Sequence, residues 1–253
     1  MKHNSTERFS NRVEDYVKYR PSYPQEIVTF LQNDFGLTPD KRLVDIGAGT
    51  GISTELFLKA GYHVVAVEPN QEMRRKCIEL LGAYEGLTVQ DGKAEQMALP
   101  DESVDGIIAG QAFHWFDREA TKKEFKRVLK PGSPVVLIWN ERLTTSDFEK
   151  AYDELIIRHG RDYVKVDHRN IQQEDIETFF KPNPVQLRVF ANSQVFDLEG
   201  LQGRLLSSSY MPARGEEGYD AMLADLRILF DKYQEGETIT IHYDTKVFVG
   251  CLS

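Results

Sequence analysis

The stretch Leu43-Val44-Asp45-Ile46-Gly47-Ala48-Gly49-Thr50-Gly51 constrains this chain more than any other. Apolar residues and one Asp run straight into three alternate glycines. A helical pattern follows, with Ile52, Leu56 and Ala60 four apart and Phe57 beside them. The succession reads as a buried strand, a tight turn and a helix. Glycine suits the turn because a Cβ would oppose its backbone angles and keep a ligand off the main chain. The helix start offers unpaired N–H groups to a ligand's oxygens. Such turns lie beyond the carboxyl ends of the strands, where open α/β sheets bind their ligands. Read alone, the loop serves a nucleotide-like ligand or is a plain tight βα turn.

The chain around it keeps alternating strands and helices. Arg42 to Ile46 is the first strand, and His63-Val64-Val65-Ala66-Val67, after Gly61, is the second. The second strand stops at Glu68, which is either a ribose acceptor or an exposed strand-end charge. Met73, Cys77, Leu80 and Leu81 mark a helix, and Leu87-Thr88-Val89 a third strand ending near Asp91. A flat purine can sit beside the loop from Lys93 to Pro100, with Asp91 or the main chain near Ala94 at its edge. Val104 to Gly110 is a fourth strand, emerging at Gln111-Ala112-Phe113-His114-Trp115-Phe116-Asp117. Asp117 caps a helix that ends with Lys126, Arg127, Lys130 and Pro131-Gly132. Val135 to Trp139 is a fifth strand.

From Asn140 to Pro184 the pattern is too long for a simple connection, so it reads as an insertion, with a helix marked by Phe148, Tyr152, Leu155 and Ile156. Val185, Leu187 and Val189 alternate as a strand. Leu198 to Ser207 looks helical, and Met222, Leu226, Leu229, Phe230 and Tyr233 form a helical stripe. Ile239, Ile241, Tyr243, Val247 and Val249 alternate in a last strand, which fits an antiparallel partner at a sheet edge. Ahead of the sheet, the segment ending in Tyr19-Arg20-Pro21-Ser22-Tyr23-Pro24 is either a lid over the cleft or a packed N-terminal arm.

The chain has 253 residues, enough for one large α/β domain. Its 40 acidic residues exceed 31 basic ones, giving a net charge of −9, so the basic footprint of a nucleic-acid binder is missing. Two cysteines, Cys77 and Cys251, have no disulfide or metal-ligand spacing. The polar N-terminus has no apolar signal core, and no apolar run reaches membrane-spanning length. We therefore expect a soluble cytoplasmic protein, a monomer or homodimer, with no nucleic-acid partner, no membrane and no metal.

Three Gly-loop chemistries compete. A P-loop needs Gly-Lys-Ser/Thr, but Ile52 follows Gly51. The dinucleotide fingerprint needs glycine where Ile52 stands, and no Tyr has Lys four residues on, as a short-chain dehydrogenase would. The third chemistry is signalled by Asp45, placed to order the loop or to meet a cationic ligand tail. With Val67-Glu68-Pro69-Asn70, Asp91-Gly92-Lys93-Ala94-Glu95, Leu99-Pro100, Asp105-Gly106-Ile107-Ile108 and Ala112 to Asp117, the Gly loop resembles the class I S-adenosylmethionine-dependent methyltransferases over roughly residues 40 to 140. The Tyr19 to Pro24 segment and the His-Trp-Phe-Asp loop resemble its small-molecule branch, including enzymes similar to trans-aconitate methyltransferase.

The resemblance implies an α/β fold: a doubly wound, seven-stranded, mostly parallel Rossmann-like sheet with its last strand antiparallel and a helical cap insertion. It implies one methyltransferase domain over 1–253, divided into an N-terminal arm and helix (1–36), a cofactor-binding core (37–140), a cap insertion (141–184) and the rest of the sheet (185–253). It assigns S-adenosylmethionine, with S-adenosylhomocysteine as product, to Asp45, Gly47, Ala48, Gly49, Gly51, Glu68, Pro69, Asp91, Ala94, Glu95, Gln111 and Ala112. Gln111-Ala112-Phe113-His114 stands where amino-group methyltransferases often carry Asn/Asp-Pro-Pro-Tyr, which argues against DNA or protein-amide acceptors.

The expected reaction is methyl transfer to a small molecule, a carboxylate or hydroxyl, by direct displacement. His114 is the candidate base or a structural residue of its turn. Tyr16, Tyr19, Arg20, His114, Trp115, Arg142 and Tyr210 are the substrate candidates, the arginines suiting a carboxylate. The rival readings are a non-catalytic module that binds the same cofactor and a nicotinamide oxidoreductase.

Overall fold

A computed structural model describes residues 17–161 and 173–252. In chain order it forms α1 (Glu26–Phe35), β1 (Arg42–Ile46), α2 (Ile52–Lys59), β2 (His63–Val67), α3 (Gln71–Leu81), β3 (Leu87–Gln90), β4 (Gly106–Gly110) and α4 (Arg118–Val128). There follow β5 (Pro134–Arg142), α5 (Asp147–His159), α6 (Gln173–Phe180), β6 (Val185–Phe196), α7 (Leu198–Leu206), α8 (Tyr219–Tyr233) and β7 (Ile239–Cys251).

The seven strands make one sheet in the order β3-β2-β1-β4-β5-β7-β6. The first five run parallel, and β7 is antiparallel to both β5 and β6. Leu43 and Val44 show why the parallel strands are apolar throughout. Val44, Val65, Ile107 and Val135 enter a core on one face, while Leu43, Val64, Ile108 and Val136 enter the core on the other. The strand order reverses between β1 and β4, where successive connections leave the sheet on opposite sides and open a crevice. Asp45 pairs with Ala66 and Ile108, so the glycine loop, Glu68 and Gln111 all emerge over that crevice.

The last strand does not lie at the sheet edge. It is inserted between β5 and β6, and β6 is the edge. Its alternation has another cause. The half of β7 carrying Val247, Phe248 and Val249 is covered by cores on both faces, whereas Ile239, Ile241 and Tyr243 point into a third core. That core is a helical layer formed by Phe148, Tyr152 and Leu155 of α5, Leu201 and Leu205 of α7, and Met222, Leu226 and Phe230 of α8. The described residues of 141–184 thus divide between two cores: α5 belongs to the helical layer, and α6 packs Ile176, Phe179 and Phe180 against the sheet beside Phe113 and Phe125.

Two clamps hold the helical layer to the sheet. Glu149 completes a capping box with Ser146 at the start of α5, and its other oxygen accepts from the main chain of His242 in β7. Tyr19 packs its ring on Gly203, where an added Cβ would lie 2.0 Å from the ring. The following residues are tied across the sheet. The amides of Asn140 and Asn192 donate to Ser22 O at 3.1 and 2.8 Å, and that of Gln194 donates to Tyr19 O at 3.2 Å.

Candidate functional site

The three alternate glycines do different work. Gly47 (φ +68°) donates its N–H to Val67 O at 2.8 Å, and an added Cβ would stand 2.6 Å from that of Ala112. It lets the end of β1 touch the end of β4. Gly49 (φ +57°) donates to Glu68 Oε2 at 3.0 Å, and nothing lies within 4 Å of where its Cβ would be. Its bare flank is open. Gly51 precedes α2, and a Cβ there would strike Leu81 Cδ1 at 2.5 Å and Cys77 Sγ at 3.0 Å. Its smallness serves the packing of α3. Burial pushes the Cys77 thiol up to about 12, so it packs as a small apolar group.

Two buried carboxylates flank the loop. Asp45, fully buried, accepts from the hydroxyls of Ser53 and Thr54 through Oδ2 at 2.7 and 2.6 Å, which ties the loop to the first turn of α2. Its Oδ1 is buried without a hydrogen-bond partner among the described residues. Burial raises its pKa from 3.8 to about 6, against the pull of the two hydroxyls. The folded chain therefore binds this proton more tightly than the unfolded one. The resulting stability is complete below 3.8 and lost as pH rises through about 6, a span worth roughly 3 kcal/mol. Asn is nearly isosteric and can still accept from both hydroxyls. Asp45→Asn should therefore gain stability relative to the parent, by up to about that amount, between pH 4 and pH 7 in urea unfolding. An equal difference at both values would contradict the assignment.

Glu68 closes the other side. Its two oxygens accept from the main-chain N–H groups of Gly49 (3.0 Å) and Asn70 (2.8 Å), while burial pushes its carboxyl above the usual range. Pro69 follows, and Asn70 caps α3 by accepting from Met73 N at 3.0 Å. Arg74 of α3 braces this corner, donating to Glu68 O at 2.7 Å and to Asp91 at 2.9 Å. Asp91 is otherwise exposed. Ala94 is buried, and Glu95 accepts from Asp117 N at 2.9 Å, binding its loop to the start of α4. Ala48 is buried in the core below the loop.

At the end of β4, Gln111 adopts φ +56°, a backbone region that a non-glycine residue rarely takes. Its amide donates to Asn140 O at 3.1 Å. Ala112 then touches the Gly47 turn, and Phe113 to Trp115 form a 3-10 turn. Phe113 is buried with its ring 4.9 Å from that of Phe179, while the rings of His114 and Trp115 lie 4.7 Å apart and Trp115 is partly exposed.

The substrate candidates cluster less completely. Tyr16 lies outside the described residues. Tyr19 is buried on Gly203, Arg20 donates to Ser207 O at 3.1 Å, and Tyr210 packs at the margin of the helical layer. Arg142 at the end of β5 pairs with Asp153 and lies over the Tyr152 ring, 5.0 Å from its centre. Sequence reasoning missed Arg204. In the last turn of a helix an arginine reads as a solvated charge, yet this one is buried. The signal was its position: it stands three residues after Leu201 and one before Leu205, on the apolar face of α7.

These features sit in one ordered span. The methyltransferase domain family matches residues 44–137, from β1 through the glycine loop, Glu68 and Gln111 into β5. Over that span the chain is similar to the methyltransferase domain, and the sheet has the methyltransferase fold. An uncharacterised methyltransferase of Mycobacterium tuberculosis is 37% identical over 153 residues, and the match spans 60% of each chain. An uncharacterised methyltransferase-like protein of Schizosaccharomyces pombe is 28% identical over 250 residues, covering 95% of this chain and 93% of its own. Among solved structures, a candidate type II methyltransferase of Anaeromyxobacter dehalogenans shares the fold with a TM-score of 0.71 at 20% identity, covering 92% of this chain and 97% of its own.

The residues present suit S-adenosylmethionine, the cofactor that the resemblance implies. An open glycine flank, a carboxylate already holding main-chain N–H groups and a buried acid with a spare oxygen match a ligand bearing hydroxyls and an ammonium. A separate hollow lined by Asp40, Arg42, His63 and Glu85 lies at the amino ends of β1 and β2, away from these groups. Among the described residues, no His, Cys, Asp or Glu cluster could hold a metal ion, and no helix is long and apolar enough to cross a membrane.

Proposed function

We propose that this chain transfers a methyl group from S-adenosylmethionine to a small-molecule acceptor bearing a carboxylate or hydroxyl, by direct in-line displacement. The observation that carries the reading is the Glu68–Gly49 contact, which brings an acidic strand tip and an open glycine flank together over the crevice between β1 and β4. Bound S-adenosylmethionine supplies a methyl carbon already activated by its sulfonium, whose bonding electron pair leaves with sulfur. The chain's contribution is position. Gly49 presents bare main chain on the turn that Gly47 and Ala48 set, Glu68 accepts from the ribose hydroxyls, and Pro69 follows it at the strand tip. Asp91, Ala94 and Glu95 line the adenine. Asp45 orders the loop through Ser53 and Thr54, Gly51 sets α2 behind it, and Gln111 and Ala112 meet the methionyl end.

Alignment of this kind supplies roughly 7–11 kcal/mol of a barrier in favourable cases. The segment from Tyr19 to Ser22 and the helical layer roof the strand ends and exclude water.

Incubating the full chain with methyl-labelled S-adenosylmethionine and a small-molecule metabolite extract tests the proposal. Label should pass to an organic molecule, with S-adenosylhomocysteine formed in equal amount. Binding of S-adenosylhomocysteine with no transfer would reduce the chain to a non-catalytic binding module. Binding of NADH in its place would make it an oxidoreductase. With an acceptor in hand, His114→Ala decides the base. A base loses roughly 10²–10⁴-fold in turnover at saturating cofactor. A smaller than tenfold loss assigns His114 to the 3-10 turn alone.

A further inference from the structure

The helical layer holds a positive charge that nothing described neutralises. Arg204 is 8% exposed, and its hydrogen-bond partners among the described residues are hydroxyls: Nε donates to Tyr243 Oη at 3.2 Å, and Nη1 to the Oγ atoms of Ser207 and Ser208 at 3.5 Å. A guanidinium keeps its charge at any ordinary pH, and a buried charge is costly unless an opposite charge or a full set of hydrogen bonds meets it. No carboxylate pairs with Arg204 among the described residues. Of the acids on α5, Asp153 is engaged by Arg142, and the buried Glu149 accepts from Thr145, Ser146 and His242.

A second group beside it is also unsatisfied. Tyr152 is 1% exposed, and its hydroxyl has no hydrogen-bond partner among the described residues. Arg204 and Arg142 both act electrostatically on that hydroxyl, and Arg142 lies over the same ring with its own Nε buried and unpartnered. Arg204, the Arg142–Asp153 pair and an idle hydroxyl donor therefore share one neighbourhood around Tyr152. Tyr243 pairs in register with Arg142, at the carboxyl end of β5, and Gln111 bonds to Asn140 two residues before. That neighbourhood thus lies at the same edge of the sheet as the cofactor loop. The contact of Arg20 with Ser207 O closes it from the N-terminal side.

We infer that Arg204, Arg142 and Tyr152 form an anion site in the helical layer, and that a carboxylate of the methyl acceptor binds there. Arg204 presents the planar donor fork that matches a carboxylate, Tyr152 adds an O–H donor, and Arg142 adds charge while remaining tied to Asp153. That the bound carboxylate belongs to a methyl acceptor rests on the proposed methyl transfer. The anion site stands on the buried groups themselves.

The test uses the full chain saturated with S-adenosylhomocysteine, titrated calorimetrically with benzoate, succinate and sulfate, and with benzamide and succinamide as neutral counterparts. At least one carboxylate should bind at tens of millimolar or tighter, and its amide should not. Arg204→Gln should weaken that binding at least tenfold and Tyr152→Phe at least threefold, with affinity for S-adenosylhomocysteine unchanged in both. Tyr152→Phe keeps the ring and core volume, so it decides the matter if Arg204→Gln folds poorly. The inference is overturned if no carboxylate binds, if an amide binds equally well, or if both variants bind as the parent does. Sulfate binding alone would overturn the carboxylate assignment in favour of a tetrahedral oxyanion. Carboxylate binding that depends on Arg204, in a chain that fails to bind S-adenosylhomocysteine, would sustain the anion site while removing methyl transfer.

Discussion

Glu68→Ala should lower affinity for S-adenosylhomocysteine about a hundredfold while leaving the chain folded. The carboxylate already accepts from Gly49 N and Asn70 N, and each oxygen keeps lone-pair capacity for a ribose hydroxyl. A hydrogen bond to a charged group contributes about 1.5–3 kcal/mol net, and a hundredfold change in affinity is about 2.7 kcal/mol. The variant loses the hydroxyl contacts and also the acceptor that holds the Gly49 main chain facing the cleft. Glu68→Gln keeps the shape and one acceptor oxygen, so it should fall between, near tenfold. Calorimetric titration of both variants reads this directly. Equal affinity in the parent and Glu68→Ala would remove Glu68 from the site.

The second large effect separates two glycines that look alike on paper. Gly47→Ala should fold poorly, because its Cβ would sit 2.6 Å from the Cβ of Ala112, and neither atom can rotate away. A left-handed backbone at an L residue costs roughly 1–2 kcal/mol, and overpacking about 1–3 kcal/mol more. The sum, about 2–5 kcal/mol, corresponds to a melting temperature roughly 5–15 °C lower in a chain of this size. Gly49→Ala meets nothing within 4 Å, so it carries only the backbone strain of roughly 1–2 kcal/mol. Its methyl would occupy the open flank, and S-adenosylhomocysteine should bind more than tenfold more weakly to an otherwise well-folded chain. Two variants with the same melting temperature, or Gly49→Ala with undiminished affinity, would contradict this division of labour.

Much of the layout of the candidate site was readable because its geometry is local. Asp45 and the glycine loop are contiguous, and Glu68 is placed by a strand, His63–Val67, whose four apolar residues are buried beside the first. Long-range packing was less legible. The glycines repeat every second residue, yet Gly51 faces Leu81 and Cys77 of a helix twenty and more residues away, which no spacing in the loop reveals. The alternation in β7 is real, with Ile239, Ile241 and Tyr243 facing the helical layer, but alternation does not say whether a strand pairs on one side or on both, so its place inside the sheet was hidden. Arg142 reads as a free cation until α5 brings Asp153 to it. Arg204 shows the opposite error, a charge whose burial depends on the docking of Tyr243 and Tyr152 from other elements.

Titration of the parent chain with S-adenosylhomocysteine by calorimetry tests the central claim most directly, because it needs no acceptor. The cradle formed by Gly47, Gly49, Glu68 and Asp45 predicts a single site of micromolar affinity that S-adenosylmethionine competes for and NADH does not. No heat and no competition at millimolar ligand would contradict it.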